Sequence, residues 1–144
     1  MEGLAAAEAA TAEADLQGLR VLVVDDDADT REILCVVLGQ RGAEVRAAAS
    51  STDALEAFHE WKPNVLVSDL GMPGEDGFAF IEKVRRLAPE EGGNIPAAAL
   101  TAYAREEDSQ RAQSAGYQVH ISKPVDPARL AAVVAGLARR AGNA

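Results

Sequence analysis

The sequence predicts an α/β domain: a parallel β-sheet covered by helices on both faces. Three observations carry that expectation. Short apolar runs of β-branched character alternate with segments of helical spacing, five times over, from about residue 19 onward. Two of the runs, Val21–Val24 and Val65–Val67, are apolar at every position, as strands buried on both faces must be. Both runs also end close to acids, at Asp25 and Asp69.

The elements follow in order. Val21–Val24 is the first strand, and Ile33, Leu34, Val37 and Leu38 recur at helical spacing until Gly39 and Gly42, placing a helix with those four residues on its core face. Cys35 falls in the same apolar segment and reads as inert core. Glu44–Ala48 is a weaker second strand. The Ser-Ser-Thr-Asp run ending at Asp53 offers N-cap residues for a helix through Trp61, which must stop before Pro63. Val65–Val67 is the third strand. Phe78, Ile81, Val84 and Leu87 form a helical stripe after a loop rich in Gly and containing Pro73, with Asp76 and Gly77 at its entry. Ile95–Leu100 is the fourth strand, against the low β propensity of Ala97–Ala99. Arg105–Ala115 is a polar helix closed by Gly116. Val119–Ser122 is the fifth strand, and Pro127 opens a last helix with Leu130, Val133, Val134 and Leu137 on one face. Residues 1–17, rich in Ala and acids, read as a linker or tail. Residues 18–140 form the domain and 141–144 a short tail.

Composition narrows the function. The 144 residues carry 23 acids and 14 bases, a formal charge of −9. No nucleic-acid partner is expected, since such a partner demands a basic face. Glu2, Glu8, Glu13 and Asp15 precede the first base, Arg20, so four of the negative charges belong to the amino-terminal segment. The single cysteine excludes an internal disulfide. His59 and His120 lack neighbouring ligands at zinc spacing. The longest uncharged stretch, residues 92–104, is broken by Gly92, Gly93, Asn94 and Pro96, and falls short of the ~18 apolar residues of a membrane span. With no basic, apolar leader at the amino terminus, the expected location is the cytoplasm, without membrane insertion.

Open parallel sheets bind ligands beyond the carboxyl ends of their strands. Here those ends carry Asp25-Asp26-Asp27, Asp69, Thr101 and Ser122-Lys123-Pro124. A solvated charged face would not select strand ends. Asp27 and Asp29 are explained by the adjoining helix N-terminus; Asp25, Asp26 and Asp69 are not. Three carboxylates gathered there would repel one another, and a hard divalent cation relieves that strain. Mg²⁺ suits a site with few carboxylates and room for phosphate oxygens, with Mn²⁺ as the alternative. Lys123 and Thr101 would hold the remaining phosphate oxygens, and an aspartate can itself accept a phosphoryl group.

The segments VLVVDDD (21–27), SDLGMPGEDG (68–77), LTAYA (100–104) and ISKP (121–124) resemble the receiver domain of two-component response regulators, in order and spacing over roughly residues 19–138. The wording of the middle two is most similar to receivers attached to hybrid sensor histidine kinases. The resemblance implies a flavodoxin-like sheet of order 2-1-3-4-5. It implies Asp69 as phosphoacceptor, Asp26 and, through water, Asp25 as metal ligands with the Gly71 carbonyl, and Lys123 and Thr101 on the phosphoryl oxygens. It also implies a cis bond before Pro124 and a small residue, Ala102, beside the aspartate. His120 stands where the family usually carries a switching Tyr or Phe, and Tyr103 is the candidate to share that role. Gly71 has no side chain to reach an attacking water, which bears on phosphoryl lifetime.

The implied donor is a histidine kinase or a histidine phosphotransfer domain. No turnover beyond self-phosphorylation and autodephosphorylation is expected. The implied setting is the terminal receiver of a hybrid kinase, the alternative being a stand-alone relay protein. Two rivals are weaker. A haloacid-dehalogenase-type phosphatase places its nucleophile on the first strand in a DxDx[TV] run, which is absent here. A flavin or nucleotide module would want a Gly-rich loop where Asp25–Asp27 stand.

Overall fold

In the computed structural model, residues 15–71, 76–102 and 106–142 are described. The chain alternates β1 (Arg20–Val24), α1 (Ala28–Gln40), β2 (Glu44–Ala48), α2 (Ser51–Trp61), β3 (Val65–Asp69), α3 (Gly77–Arg85), a 3₁₀ turn (Pro89–Glu91), β4 (Ala97–Thr101), α4 (Glu106–Ala115), β5 (Val119–Ser122) and α5 (Pro127–Gly142). All four strand pairings are parallel, in the order β2-β1-β3-β4-β5. This is the flavodoxin-like sheet that the resemblance implied.

Side chains alternate across the sheet, so each central strand feeds two cores. Leu22, Val24, Leu66, Ala97 and Ala99 pack under α2, α3 and α4, through Phe58, Phe80, Ile81, Val84 and Ala112. Val21, Val23, Val65, Val67, Ala98 and Leu100 pack under α1 and α5, through Leu34, Leu38, Leu130, Val134 and Leu137. Burial on both faces explains why β1 and β3 read as unbroken apolar runs. It also explains β4. Flanked by β3 and β5, its three alanines are wholly buried, and the ladder and the close approach of helices override their low propensity.

Four expectations need correction. Ile33 is not on the core face of α1: it is 55% exposed, as Val36 is at 51%, while Leu34 and Leu38 are buried. One residue advances a helix by 100°, so a stripe centred on Leu34 and Leu38 turns Ile33 outward. Cys35 is only partly buried for the same reason, and burial still raises its thiol pKa. Leu16, assigned to the linker, is fully buried in the α1/α5 core, and its amide bonds the Arg41 carbonyl at 2.8 Å. At the other end, α5 continues through Gly142.

Caps fix the entries of the helices beside the strand ends. Asp27 caps α1, accepting from Thr30 Oγ1 at 2.6 Å and the Thr30 amide at 3.3 Å, which lowers its pKa. Asp76 caps α3, accepting from the Ala79 amide at 3.0 Å. Trp61 closes α2 at the opposite pole of the sheet, with the Arg20 and Arg46 guanidinium carbons 5.9 and 5.3 Å from the ring centroid.

Candidate functional site

The parallel sheet brings the carboxyl ends of β1, β3, β4 and β5 to one pole, and the polar residues that end them meet there. Asp25 follows β1 and has no exposed surface. Its Oδ1 accepts from the Asp27 amide at 2.9 Å, and its carbonyl accepts from Arg31 at 2.8 Å. Asp69 ends β3 and is 6% exposed, its Oδ1 accepting from the Gly71 amide at 3.2 Å. Asp26 is exposed beside them. One carboxylate oxygen from each of these three acids lies within 4.8 Å of the others.

Lys123 reaches in from the end of β5. Its Nζ lies 3.0 Å from Asp25 Oδ2 and 3.4 Å from Asp69 Oδ1. Its amide donates to the Thr101 carbonyl at 2.8 Å, tying β5 to the end of β4, and the Lys123–Pro124 peptide is cis. Thr101 is 4% exposed. Asp69, Leu70, Gly71, Phe78, Thr101, Ala102 and Lys123 line a cavity of about 400 Å³ above the Asp69 carboxylate.

The electrostatics follow from crowding. Burial raises the Asp69 pKa, the Gly71 amide opposes that, the Asp25 charge adds to it and Lys123 opposes it; the net direction is up. Burial works against the Lys123 charge, but the adjacent Asp25 and Asp69 carboxylates outweigh it, holding the ammonium above its ordinary pKa. One carboxylate oxygen accepts no hydrogen bond. Asp25 Oδ2 is buried with no hydrogen-bond donor in good geometry, and Lys123 gives it only a point charge. An acceptor-only oxygen of this kind, among three carboxylates with a backbone carbonyl two residues beyond Asp69, is the donor chemistry of a hard divalent cation.

Asp25, Asp26, Asp69, Gly71, Thr101 and Lys123 therefore gather as the sequence suggested. His120 does not line the cavity. It pairs with Ala99 in the β4–β5 register, and its Nδ1 lies 3.0 Å from Ser109 Oγ on α4. Tyr103, Met72 and Pro73 lie outside the described residues.

Several contributors were not visible as such. Phe78, read as part of a core stripe, lines the cavity. Gly77 packs against the Asp69 backbone so closely that a Cβ would stand 2.3 Å from its carbonyl oxygen, so only glycine lets α3 begin there. Tyr117, 3% exposed, donates its hydroxyl to the Gly77 carbonyl at 2.8 Å, and burial raises its pKa strongly. Arg85 donates to the carbonyls of Gly93, Ile95 and Gly116, pinning the entries of β4 and β5. A lone Arg near a helix C-terminus reads as a dipole partner, so nothing in its spacing announced this role.

The response regulator receiver domain family matches residues 21–135. The chain is 46% identical over 119 residues to an uncharacterized 14.6 kDa protein in the sodA1 3′ region of Leptolyngbya boryana, covering 83% of this chain and 89% of that one. It is 32% identical over 111 residues to the sensor histidine kinase RcsC of Escherichia coli (strain K12), covering 77% of this chain but 11% of the kinase. Its fold is similar to that of the Vibrio cholerae chemotaxis protein CheY4, with a TM-score of 0.78 and 28% identity, covering 83% of this chain and 98% of that one. Among the described residues, no helix is long and apolar enough to cross a membrane. The chain belongs to the response regulator receiver domain family of two-component signalling.

Proposed function

We propose that Asp69 accepts a phosphoryl group from a phosphohistidine, presented by a histidine kinase or a histidine phosphotransfer domain. The observation that carries this is the buried Asp69 carboxylate in a cavity that Lys123 and Thr101 also line, with a carboxylate oxygen each of Asp25 and Asp26 within 4.8 Å. A carboxylate oxygen of Asp69 attacks phosphorus, the phosphorus–nitrogen bond to the donor imidazole breaks, and the imidazole leaves, taking up a proton.

Lys123, already charged and 3.4 Å from Asp69 Oδ1, offsets the negative charge of the transferred group. Thr101 offers its hydroxyl to a phosphoryl oxygen. Asp25, Asp26, Asp69 and the Gly71 carbonyl would hold Mg²⁺, or Mn²⁺, which when bound neutralises the phosphoryl oxygens. Movement of Thr101 toward the phosphoryl group would draw on the end of β4 and reach α4, where His120 and Ser109 meet. In this reading Thr101 and His120, with Tyr103, form the switch.

The test is incubation with acetyl phosphate and Mg²⁺, read by intact mass. One acid-stable, hydroxylamine-labile phosphate is expected on the unsubstituted chain and none on Asp69→Asn. No labelling from acetyl phosphate or from kinase donors refutes the proposal.

For the setting, likeness to RcsC supports the terminal receiver of a hybrid sensor kinase. A stand-alone relay protein is the second reading, favoured by the Leptolyngbya relative, 89% of which this chain covers. An immunoblot of native cells separates them: a band near 15.1 kDa supports the stand-alone form, and a kinase-sized band the hybrid.

A further inference from the structure

The cavity above Asp69 is walled unevenly. Among the described residues that line it, Asp69, Thr101 and Lys123 are polar, Gly71 and Ala102 offer no side chain or a methyl group, and Leu70 is buried. Phe78 is the bulky side chain that remains, half-buried in the first turn of α3. At Gly71 even a methyl group would stay 3.9 Å from Asp69 Oδ1, so that side leaves the carboxylate approachable. Phe78 itself is held from outside: the Arg111 guanidinium carbon, on α4, lies 3.9 Å from its ring centroid. That is a cation–π distance, and it joins α4 to the cavity wall.

Resting on the reading of Asp69 as phosphoacceptor, we infer that Phe78 restricts water at the phosphorylated aspartate, and that Arg111 is a positioning residue acting through Phe78. In hydrolysis a water oxygen attacks phosphorus, the bond from phosphorus to the Asp69 oxygen breaks, and carboxylate and inorganic phosphate part, with the water's proton passing to solvent. The attacking water must enter from the cavity side, opposite that bond. An aromatic ring there takes up volume and offers no hydrogen bond to orient a water. The guanidinium covering the ring limits its rotation, so phosphoryl lifetime is coupled to the position of α4.

The experiment uses the full chain, phosphorylated with acetyl phosphate and Mg²⁺ and freed of donor, with loss of phosphate followed by intact mass. Phe78→Ala is expected to shorten the lifetime on the order of threefold to tenfold. Arg111→Gln, a change at an exposed position, is expected to shorten it by about twofold while leaving Tm in place. Because Arg111 acts through the ring, adding Arg111→Gln to Phe78→Ala changes nothing further. Phe78→Leu keeps apolar bulk for folding, and its lifetime is expected between the two and insensitive to Arg111→Gln.

Lifetimes of Phe78→Ala and Phe78→Leu equal to that of the unsubstituted chain overturn the inference. So does an Arg111→Gln effect that persists in full without the ring. Failure of the unsubstituted chain to take up phosphate instead refutes the phosphoacceptor reading, and the inference falls with it.

Discussion

Replacing Lys123 by Met removes the cation that two buried carboxylates share. Nζ lies 3.0 Å from Asp25 Oδ2 and 3.4 Å from Asp69 Oδ1. At an effective dielectric constant of about 20, each contact is worth roughly 5 kcal/mol of bare Coulomb attraction, most of it offset by desolvation. Deleting one partner of a fully buried pair costs about 3–5 kcal/mol. The Lys123 side chain is 25% exposed, so solvent screening lowers the expected loss to about 2–3 kcal/mol.

The loss should depend on pH, and its sign follows from Asp69. Because the folded pKa of Asp69 is raised above 3.8, the folded state binds more protons than the unfolded chain between those values. The penalty for its charge is therefore complete above the folded pKa and relieved as pH falls through it. Without Lys123 that pKa rises further, so the variant should begin to recover stability at a higher pH than the parent chain as the solution is acidified. Lys123 acts in the opposite range. Its raised pKa gives the parent chain stability that is complete below 10.5 and lost as pH rises through the folded value, and the variant lacks that alkaline loss. Urea unfolding in EDTA at pH 4, 5, 7 and 11 measures all of this. A loss below about 0.5 kcal/mol at pH 7, the level of an exposed pair, would refute the shared-cation argument.

Three further outcomes are expected. In the absence of divalent ions, Asp69→Asn should stabilise the chain at pH 7, since it removes a buried charge with a raised pKa while keeping an acceptor for the Gly71 amide; an unchanged midpoint in urea would contradict this. Tyr117→Phe should cost about 1–2 kcal/mol by leaving the Gly77 carbonyl without its donor, measured by urea unfolding, and a loss within error would show that water replaces the hydroxyl. Mg²⁺ should raise Tm while leaving Trp61 emission unchanged, because Trp61 bonds Arg20 at the amino end of β1, about 15 Å along the strand from Asp25. A large emission change would place the ion elsewhere.

The legible parts of this protein are those where one residue's chemistry suffices. Strands buried on both faces must be apolar throughout, so Val21–Val24 and Val65–Val67 declared themselves. Polar groups at the ends of such strands stand out against their apolar runs, so Asp25, Asp69, Thr101 and Lys123 could be named as candidates before any coordinates. Asp76 and Asp27 were readable because a cap is a local event, settled within one turn. Strand order was a different matter: it came from resemblance, since alternation alone fits more than one winding.

Tertiary structure decided whatever depends on the rotation of a helix or on an encounter between distant segments. Leu34 and Ile33 are both apolar and adjacent, yet one is buried and the other open, because the orientation of α1 is set by the whole sheet beneath it. Leu16 looked like linker until the Arg41 carbonyl and the α1/α5 core received it. Tyr117 meets Gly77 across 40 residues, and Arg111 meets Phe78 across the α3–α4 boundary. Sequence by itself determined which chemical groups stand at the pole of the sheet, since topology carries every strand end there. Only folding determined which apolar side chain lines the cavity above Asp69 and which cation lies against it, since those contacts arise where two helices pack and have no sequence period to betray them.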